Sequence, residues 1–418
     1  MNVRIEGTVA PGFEAVRELY TRNMQDLIEL NTQLCVYHRG ERVIDLWGSA
    51  SGDEAFHADN LVNIFSSGKS LEALALAYLH EHHGLNYRAP VARYWPEFAA
   101  EGKADITVAA LLRHECGLAA FDRSVSMEDL QPSRIHANSL GEVIERQAPR
   151  FRRSSPREYH ALTRGWIANE LFRRVDPAQR TIGTFLREEV NAKLGVRALV
   201  GLTDEELPER SPVVPLPMQQ MISESLKPRG RRRVEHNLLQ QMYRLGPVVA
   251  SLRDRSATRR APPIAEMRGL NAFNDPRMAQ GETPSANTHS NARSLARIAA
   301  MLAGHGQLDG QSILGPAAWQ ALHGDVIEAD TGFAYTRFSQ GGVAAFGKLP
   351  PRPSPLDRGL NTGRAGFFGW MGLGGSIFQW HPEREIGFGY VPTSLNVLDF
   401  VNERGKAYQA EVIRCLDA

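Results

Sequence analysis

The chain has 418 residues, of which 42% are hydrophobic and 23% charged, and its 48 Lys and Arg residues almost balance 47 Asp and Glu residues. This length predicts one large domain or two interlocked ones, and the composition excludes a collagen-like, low-complexity or wholly disordered chain. A formal net charge of +1 provides no overall field that would attract nucleic acid or an acidic membrane. We therefore expect a globular protein with no nucleic-acid partner.

The three cysteines, Cys35, Cys116 and Cys415, are far apart and form no CxxC motif. This spacing argues against a disulfide framework or a zinc site, and no metal ion or organic cofactor is expected. The charged N-terminal stretch lacks the apolar core of a secretory signal, and no run approaches the roughly 18 apolar residues of a membrane span. The expectation is a soluble, reduced, cytoplasmic protein without a transmembrane segment, and a homo-oligomer is left open.

The front of the chain predicts a helix followed by a β-hairpin. Apolar residues recur at spacings of three and four over 11–31, which is typical of an amphipathic helix. Strand patterns over 34–37 and 42–47 flank a turn at 39–41, as in an antiparallel hairpin. A second helix is predicted over 66–83, and we expect it to be buried because its first turns are apolar almost all round.

The middle of the chain is predicted to be mainly helical, with helices over 108–112, 139–147, 164–174 and 182–194. Residues 203–263 differ in character, since several prolines are followed by a basic stretch over 227–260. We interpret these residues as a solvated helical insertion or lid. The alternative is that the basic stretch docks an acidic partner or an anionic lipid surface.

The end of the chain repeats the elements of the front in reverse order. Helices are predicted over 290–304, 310–322 and 397–416, and a hairpin over 375–391. Both chain ends are therefore expected to build one antiparallel sheet flanked by helices, in an α+β fold with a large, mainly helical insertion. The predicted domains are 1–75 with 285–418 around the sheet, and 76–284 as the helical part.

A candidate nucleophile occurs in the segment 65–70, FSSGKS, which contains the pattern S-x-x-K. If a helix begins here, Ser66 and Lys69 lie one turn apart on the same face. A serine hydroxyl is a weak nucleophile until a base removes its proton, and a lysine amine with a pKa lowered by burial can act as that base. The short pattern recurs by chance, however, and by itself it favours a serine helix cap followed by an exposed lysine.

Other candidate motifs are weaker. The residues Gly68, Lys69 and Ser70 resemble the end of a phosphate-binding P-loop, but Asn63 stands where its first glycine should be. The histidine-rich stretch 80–83 does not form HExxH and is expected at the surface. The chain contains no G-x-S-x-G motif, which argues against an α/β-hydrolase.

Three segments in this order resemble the serine β-lactamase-like superfamily, which includes class C β-lactamases, D-alanyl-D-alanine peptidases and family VIII carboxylesterases. They are 66–69 (SSGK), 157–166 (REYHALTRGW) and 368–376 (FGWMGLGGS), and the third looks like the strand that carries the K-T-G box. The resemblance covers about 1–200 and 265–418. It implies that the α+β fold is of the β-lactamase/transpeptidase-like type, and it leaves the basic insertion unplaced.

The resemblance also implies a catalytic set. Ser66 would be the nucleophile, and Lys69 and Tyr159 would form the general-base pair, with the choice between the two left open. The backbone N–H groups of Ser66 and Leu373 would form the oxyanion hole, in which one donor typically contributes about 3–4 kcal/mol to transition-state binding.

The chain departs from the β-lactamase pattern at two motifs. Residues 159–161 are YHA where β-lactamases have Y-x-N, and residues 370–372 are WMG where they have K-T-G. The amide and the cation that would contact a β-lactam are therefore absent. We expect a substrate pocket with Trp370, Gly372 and His160 that accepts neutral, apolar acyl groups, because a W-x-G box resembles family VIII carboxylesterases.

These features favour a serine hydrolase that cleaves carboxylic esters of small or medium acyl groups through an acyl-enzyme on Ser66. One alternative is an acyltransferase or amide-forming enzyme, in which the stretch 227–260 docks an acidic carrier protein. A second is a β-lactamase or D-alanyl-D-alanine peptidase-like amidase, against which the W-x-G box argues. A third is a non-catalytic scaffold protein, against which the complete catalytic set argues. Cys116 is interpreted as a small buried residue and not as a second nucleophile.

Overall fold

The protein is described by a computed structural model over residues 3–151, 155–252 and 261–418. The strands in chain order are β1 (Arg4–Val9), β2 (Asn31–His38), β3 (Glu41–Ser49), β4 (Val62–Asn63), β5 (Ala198–Leu199), β6 (Val214–Pro215), β7 (His289–Ser290), β8 (Gln307–Leu308), β9 (Gln311–Ser312), β10 (Ile327–Asp330), β11 (Tyr335–Phe338), β12 (Ala344–Ala345), β13 (Phe368–Met371), β14 (Ile377–His381), β15 (Ile386–Pro392) and β16 (Ser394–Leu395).

The α-helices in chain order are α1 (Glu14–Asp26), α2 (Lys69–His82), α3 (Val108–Leu112), α4 (Pro132–His136), α5 (Ser139–Glu145), α6 (Thr163–Val175), α7 (Ile182–Phe185), α8 (Ala192–Leu194), α9 (Met218–Ser225), α10 (Leu238–Leu252), α11 (Pro276–Gln280), α12 (Ala292–Ala303), α13 (Pro316–His323), α14 (Pro355–Asn361) and α15 (Glu403–Asp417). A 3₁₀ turn over Phe65–Gly68 leads into α2, and a π-helical stretch over Leu186–Asn191 joins α7 to α8.

The main sheet has nine antiparallel strands in the order β1-β3-β2-β15-β14-β13-β12-β11-β10. The two ends of the chain meet where β2 pairs with β15, with Val36 opposite Phe388. The front hairpin turns at Arg39 and Gly40, which both have positive φ values and so fit the tight turn between β2 and β3. The predicted antiparallel sheet built from both chain ends is confirmed.

Helix α12 lies against one face of this sheet, over β2, β14 and β15. At Gly387 a Cβ atom would lie 2.3 Å from the backbone nitrogen of Ala300, and at Gly389 it would lie 2.5 Å from the carbonyl oxygen of Ala292. The two glycines therefore allow the helix backbone to approach the strand closely. Asn291 caps the helix, because its side-chain oxygen accepts a hydrogen bond from the Ser294 N–H at 2.8 Å.

Helices α1 and α15 cover the opposite face of the sheet. Val16, Tyr20 and Met24 recur every fourth residue on α1 and are buried, as the amphipathic pattern predicts. The Tyr20 ring packs against Tyr408 of α15 with 5.7 Å between the ring centroids. The Tyr20 hydroxyl donates to the Thr32 carbonyl oxygen at 2.9 Å, so the aromatic layer is also joined to β2 by a hydrogen bond.

The predicted helices at both ends of the chain are shorter than their apolar patterns indicated. The pattern over 11–31 corresponds to α1, which ends early because the chain turns to enter β2. The pattern over 310–322 includes β9 before α13, and the pattern over 397–416 includes a loop before α15. Strand β1 was not predicted, since its six residues RIEGTV lie at the edge of the sheet and half of them are polar or charged.

Residues 203–263 contain α9 and α10, and α10 packs against α14. Residues 253–260, which belong to the predicted basic stretch, lie outside the described residues. The role of this insertion as a lid and the division of the chain into domains stay predictions. None of the helices in the described ranges has both the length and the apolar character needed to cross a bilayer.

Candidate active site

Ser66 lies in the 3₁₀ turn that precedes α2. Within residues 61–77, all of which are described, Ser66 is the one residue that is not buried. The preceding residue, Phe65, has a φ of 48°, a conformation that is rare for a large side chain, and its N–H donates to the Asn63 side-chain oxygen at 2.8 Å. The sharp turn thus leaves the Ser66 hydroxyl accessible just before a helix whose first nine residues are buried.

Lys69 is buried at the first position of α2, with a side chain only 2% exposed. Its Nζ atom lies 2.7 Å from the Ala161 carbonyl oxygen, 3.1 Å from the Ser285 carbonyl oxygen and 3.3 Å from Ser66 Oγ. A neutral amine has two N–H groups and one lone pair, and the two carbonyls satisfy the N–H groups. The lone pair is then directed at the serine hydroxyl, which makes Lys69 a suitable base.

Burial lowers the pKa of Lys69 to about 7, because an ammonium ion is poorly solvated inside the protein. The carboxylate of Glu72 raises this pKa and the guanidinium of Arg164 lowers it. A substantial fraction of Lys69 is therefore neutral at physiological pH. The exposed lysine favoured by the short motif alone is wrong, because α2 packs Lys69 into the interior.

Tyr159 lies beside this pair and is oriented by the indole of Trp370. The Trp370 Nε1–H donates to the Tyr159 hydroxyl oxygen at 2.9 Å, and Lys69 Nζ lies 5.0 Å from the centre of the phenol ring. Burial raises the pKa of Tyr159 to about 12, although hydrogen bonds with Ser66 and Trp370 oppose this rise. The phenol therefore keeps its proton at neutral pH and can donate it.

An ion pair between Glu72 and Arg164 lies next to Lys69. The two side chains are fully buried, with 3.1 Å between Arg164 Nε and Glu72 Oε2. Arg164 also donates to the Lys69 carbonyl oxygen at 3.1 Å, and the Ser285 hydroxyl donates to Glu72 Oε1 at 2.6 Å. Neither residue was assigned a role from the sequence. The signal available was a carboxylate within the apolar part of α2, which reads LEALALAYL.

Strand β13 brings the W-x-G segment up to the nucleophile. A Cβ atom at Gly372 would lie 2.2 Å from the Ile64 carbonyl oxygen, so only glycine allows this approach. The Ser376 hydroxyl donates to the same carbonyl oxygen at 2.7 Å and fastens the end of the strand to the segment before Ser66. Leu373, whose N–H is a predicted oxyanion donor, lines the same cavity as Ser66.

A cavity of about 260 Å³ opens beside Ser66 and Tyr159. Its lining is mainly apolar and includes Phe333, Leu356, Leu360, Met371, Val397 and Phe400. Among the described residues no lysine or arginine lines it, and Asp399 contributes a carboxylate. The sequence did not identify most of these residues, because they come from separate loops and helices that only the fold brings together.

A second cavity, of about 320 Å³, lies among α4, α5 and the loop before them. Charged side chains such as Asp122, Arg134 and Arg146 dominate its lining. Despite its larger volume, its chemistry is that of a solvated surface cleft. The cavity at Ser66 is therefore the candidate active site.

Two of the three predicted pocket residues line the cavity. Trp370 and Gly372 do so, and Trp370 adds the hydrogen bond to Tyr159 that the sequence did not reveal. His160 does not, which corrects the prediction. Its ring is fully buried, since its Nδ1 lies 2.5 Å from the Glu158 carbonyl oxygen and its Nε2 accepts from the Leu118 N–H at 3.1 Å.

The residues behind Tyr159 are also buried. The ring of His114 packs against Tyr159 with 4.8 Å between centroids, and its Nδ1 accepts from the His160 N–H at 3.0 Å. Burial holds the pKa of His114 well below its usual value and raises that of Cys116 to about 12. Cys116 is fully buried, in agreement with its interpretation as a structural residue.

The fold and this site agree with the comparisons to known proteins. A family model described as Beta-lactamase matches residues 17–411. The chain belongs to the beta-lactamase family. Within this family it is 27% identical to the esterase/beta-lactamase LipL of Mycobacterium tuberculosis over 412 residues, which cover 94% of this chain and 83% of that protein.

Two solved structures are similar to this chain over almost their whole length. A penicillin-binding protein homologue from Caulobacter crescentus is 27% identical, with a TM-score of 0.75 and coverage of 99% of this chain and 100% of that one. A family VIII carboxylesterase is 25% identical, with a TM-score of 0.76 and the same coverage. The chain is thus a hydrolase with the beta-lactamase fold.

Proposed function

We propose that the protein is a serine carboxylesterase that hydrolyses esters of small or medium, apolar acyl groups. The observation that carries this proposal is the placement of Ser66 Oγ 3.3 Å from the buried amine of Lys69, at the edge of an apolar cavity. The likeness to a family VIII carboxylesterase and to a protein named esterase/beta-lactamase supports the same activity.

Acylation begins when the neutral amine of Lys69 takes the proton of the Ser66 hydroxyl. The serine oxygen attacks the ester carbonyl carbon, and the carbonyl oxygen becomes an oxyanion. In the proposed site the backbone N–H groups of Ser66 and Leu373 stabilise this charge. This assignment prefers Lys69 to Tyr159 as the base, because Tyr159 is protonated at neutral pH and Lys69 is not fully so.

Tyr159 then donates its phenolic proton to the leaving alcohol as the bond between carbonyl carbon and alkoxide oxygen breaks. The ammonium of Lys69 returns a proton to Tyr159, which leaves both groups as they began. In deacylation a water molecule takes the place of the alcohol, loses a proton to the same pair and releases the acid. The Trp370 N–H occupies one acceptor position on the phenol oxygen and so holds the hydroxyl in place.

The side chains that line the cavity favour binding of an ester with a neutral acyl group and disfavour binding of a β-lactam. A β-lactam carries a carboxylate, and this cavity presents Trp370 at the box position together with the Asp399 carboxylate. Apolar side chains such as Leu356 and Leu360 instead favour contact with an alkyl chain.

Hydrolysis of p-nitrophenyl butyrate by the wild-type protein and by Ser66→Ala tests the proposal. Steady turnover that is lost in Ser66→Ala, together with an acyl adduct on Ser66 detected by mass spectrometry, is expected. Ser223→Ala, which removes an exposed serine hydroxyl far along the chain, is the matched control and should leave turnover unchanged.

Three other results would redirect or contradict the proposal. A burst of about one equivalent without turnover, relieved by added alcohol or amine, would assign the site to acyl transfer. Equal rates for wild-type and Ser66→Ala would contradict the serine esterase altogether. Faster turnover of a chromogenic cephalosporin than of the ester would favour the β-lactamase alternative.

A further inference from the structure

Two helices of the insertion carry large apolar side chains on their outer surface. Met218, Ile222 and Leu226 follow each other at every fourth residue along α9 and its C-terminal end, and are 49%, 39% and 66% exposed. On α10, Leu239, Met242 and Tyr243 are 77%, 61% and 71% exposed. These six residues define what we call the apolar surface of the insertion.

The orientation of both helices is set by residues on their inner sides. Met221 on α9 is fully buried, and Gln241 on α10 is only 5% exposed. Val234, between the helices, is also buried. Both helices are therefore packed against the rest of the protein on one side. On the other side each helix exposes a stripe of apolar side chains to solvent. Large exposed apolar side chains that are neighbours along one helix, as within each of these two stripes, mark interaction surfaces in folded proteins.

The same segment concentrates positive charge. Residues 218–252, all of which belong to the described part of the chain, contain six Lys and Arg residues against two Asp and Glu residues, whereas the whole chain contains 48 against 47. Arg229 and Arg231, in the loop between α9 and α10, are exposed and form no ion pair or side-chain hydrogen bond with any residue that the structure describes. Two cations are therefore available beside the apolar surface.

The acidic side chains of the helices cannot neutralise this charge. Glu224 is engaged by Lys227, with 2.6 Å between Nζ and Oε1. Glu235 faces inward, 3.6 Å from the buried guanidinium of Arg404. The outer face of α9, α10 and their loop is thus apolar and cationic together.

We infer that this face docks on an anionic lipid surface. Apolar side chains enter the boundary between headgroups and acyl chains, and arginines pair with lipid phosphates. An acidic protein would match the arginines, but it would need a shape complementary to two separate apolar stripes. A second copy of the chain would bring the same positive charge against itself.

The outer face of α9, α10 and their loop adjoins the candidate active site. Helix α10 packs against α14, whose Leu356 and Leu360 line the cavity. Arg244 on α10 lies 2.6 Å from Glu403 at the start of α15, and Phe400 lines the cavity just before that helix. An ester dissolved in the lipid could therefore reach Ser66 from this side. That last step rests on the proposed function, whereas lipid binding itself does not.

Vesicle flotation tests the inference, with full-length protein and vesicles of phosphatidylcholine alone or mixed equally with phosphatidylglycerol. The protein should float with the mixed vesicles only, and added salt should weaken the binding. The triple variant Leu239→Ser, Met242→Ser, Tyr243→Ser should lose about tenfold or more in affinity, and Arg229→Glu with Arg231→Glu should also weaken binding strongly.

Matched controls alter similar residues elsewhere. Ile327→Ser with Leu349→Ser removes exposed apolar side chains outside the insertion, and Arg22→Glu with Arg123→Glu reverses exposed charges there. Both double variants should bind as the wild type does. Circular dichroism of each variant separates loss of binding from loss of folding.

Several outcomes would overturn the inference. These are no binding to the mixed vesicles, binding that survives both insertion variants, or a dimer in gel filtration that the triple serine variant dissolves. Binding to polyglutamate without binding to vesicles would assign the face to an acidic protein instead. Ser66→Ala should bind vesicles normally, and the insertion variants should hydrolyse soluble p-nitrophenyl butyrate normally, so failure of the esterase proposal and failure of lipid docking are distinguishable.

Discussion

Residues 61–77 and helices α9 and α10 distribute polar and apolar side chains in opposite ways. In 61–77 every residue except Ser66 is buried, including the ionisable Lys69 and Glu72. On α10, Leu239 is 77% exposed while the polar Gln241 is 5% exposed. Burying a charge and exposing large apolar groups both cost free energy. The first arrangement produces a base with a lowered pKa, and the second produces the exposed apolar surface from which we infer lipid docking.

The strongest test of this comparison replaces the buried amine. Lys69→Gln keeps an NH₂ group that can donate to the carbonyls of Ala161 and Ser285 but removes the basic lone pair. We expect kcat/KM for p-nitrophenyl butyrate to fall about 10²- to 10⁴-fold, as for loss of a general base.

Lys103→Gln is the matched control for burial. Lys103 is also fully buried, and its Nζ donates to the carbonyls of Ala100, Glu145 and Gln147 at 2.7–2.8 Å, outside the cavity at Ser66. This variant should lower thermal stability while the folded enzyme keeps its kcat. Wild-type kcat/KM in Lys69→Gln would remove Lys69 from the mechanism.

The buried ion pair beside Lys69 gives the next largest effect. Glu72→Gln leaves the Arg164 guanidinium buried without its carboxylate, and we expect a loss of about 3–5 kcal/mol in the free energy of unfolding measured in urea. Glu72→Gln with Arg164→Met should recover part of this loss, because no unpaired charge remains. Since Glu72 raises the pKa of Lys69, the surviving activity of Glu72→Gln should begin at a lower pH.

An exposed pair provides the comparison for this variant. Glu142 and Arg146 lie 3.3 Å apart at the surface, with side chains 56% and 75% exposed. Glu142→Gln should cost at most about 1 kcal/mol. If Glu72→Gln lowered the free energy of unfolding by no more than this, the buried ion pair of Glu72 and Arg164 would not stabilise the fold more than an exposed pair does.

The pH dependence of the wild-type enzyme reports on the same base. The neutral form of Lys69 is the active one, and its pKa is lowered by burial to about 7. The value of kcat/KM should therefore fall tenfold for each pH unit below 7, to about one hundredth at pH 5. The pKa of Tyr159, about 12, predicts a plateau from pH 8 to 10. A profile that falls between pH 7 and 9, with native circular dichroism, would contradict this assignment.

The smallest effect is expected at the outer face of the insertion. Met242→Ser should change the free energy of unfolding by no more than about 0.5 kcal/mol, since the side chain is 61% exposed. Leu74→Ala, at a fully buried position of α2, should cost about 2–5 kcal/mol. Urea unfolding of both variants measures the contrast. Equal losses would mean that Met242 supports the folded chain and does not serve a partner.

Local patterns predicted the elements whose apolar residues follow a regular helical spacing or form a continuous strand-like run. The amphipathic spacing of Val16, Tyr20 and Met24 identified α1, and strand-like runs on either side of a turn identified both hairpins of the sheet. Helix ends and β1 were less accessible to prediction. Their positions depend on where the chain turns to meet the sheet, as at α1, and a polar edge strand has no apolar period.

The order of the three motifs pointed to Ser66, Lys69 and Tyr159 from the sequence alone, because a short stretch around each residue carries the resemblance. His160 shows the limit of this reasoning. It follows Tyr159 in the chain, yet its ring is hydrogen-bonded to the Leu118 N–H and is fully buried. Adjacent residues leave the backbone in different directions, and a motif does not state which of them faces the cavity.

The sequence by itself determined the fold family and the chemical groups that could react, since both depend on residue types in a fixed order. The tertiary structure decided how those groups behave. Burial by α2 and its neighbours lowers the pKa of Lys69, and β13 brings Trp370 within 2.9 Å of Tyr159 from 211 residues along the chain. Packing likewise decides that Met221 is buried while Met242 is exposed. The burial of a side chain and the distance between two side chains are fixed only when distant segments of the chain pack together. Neither can therefore be predicted from the local sequence.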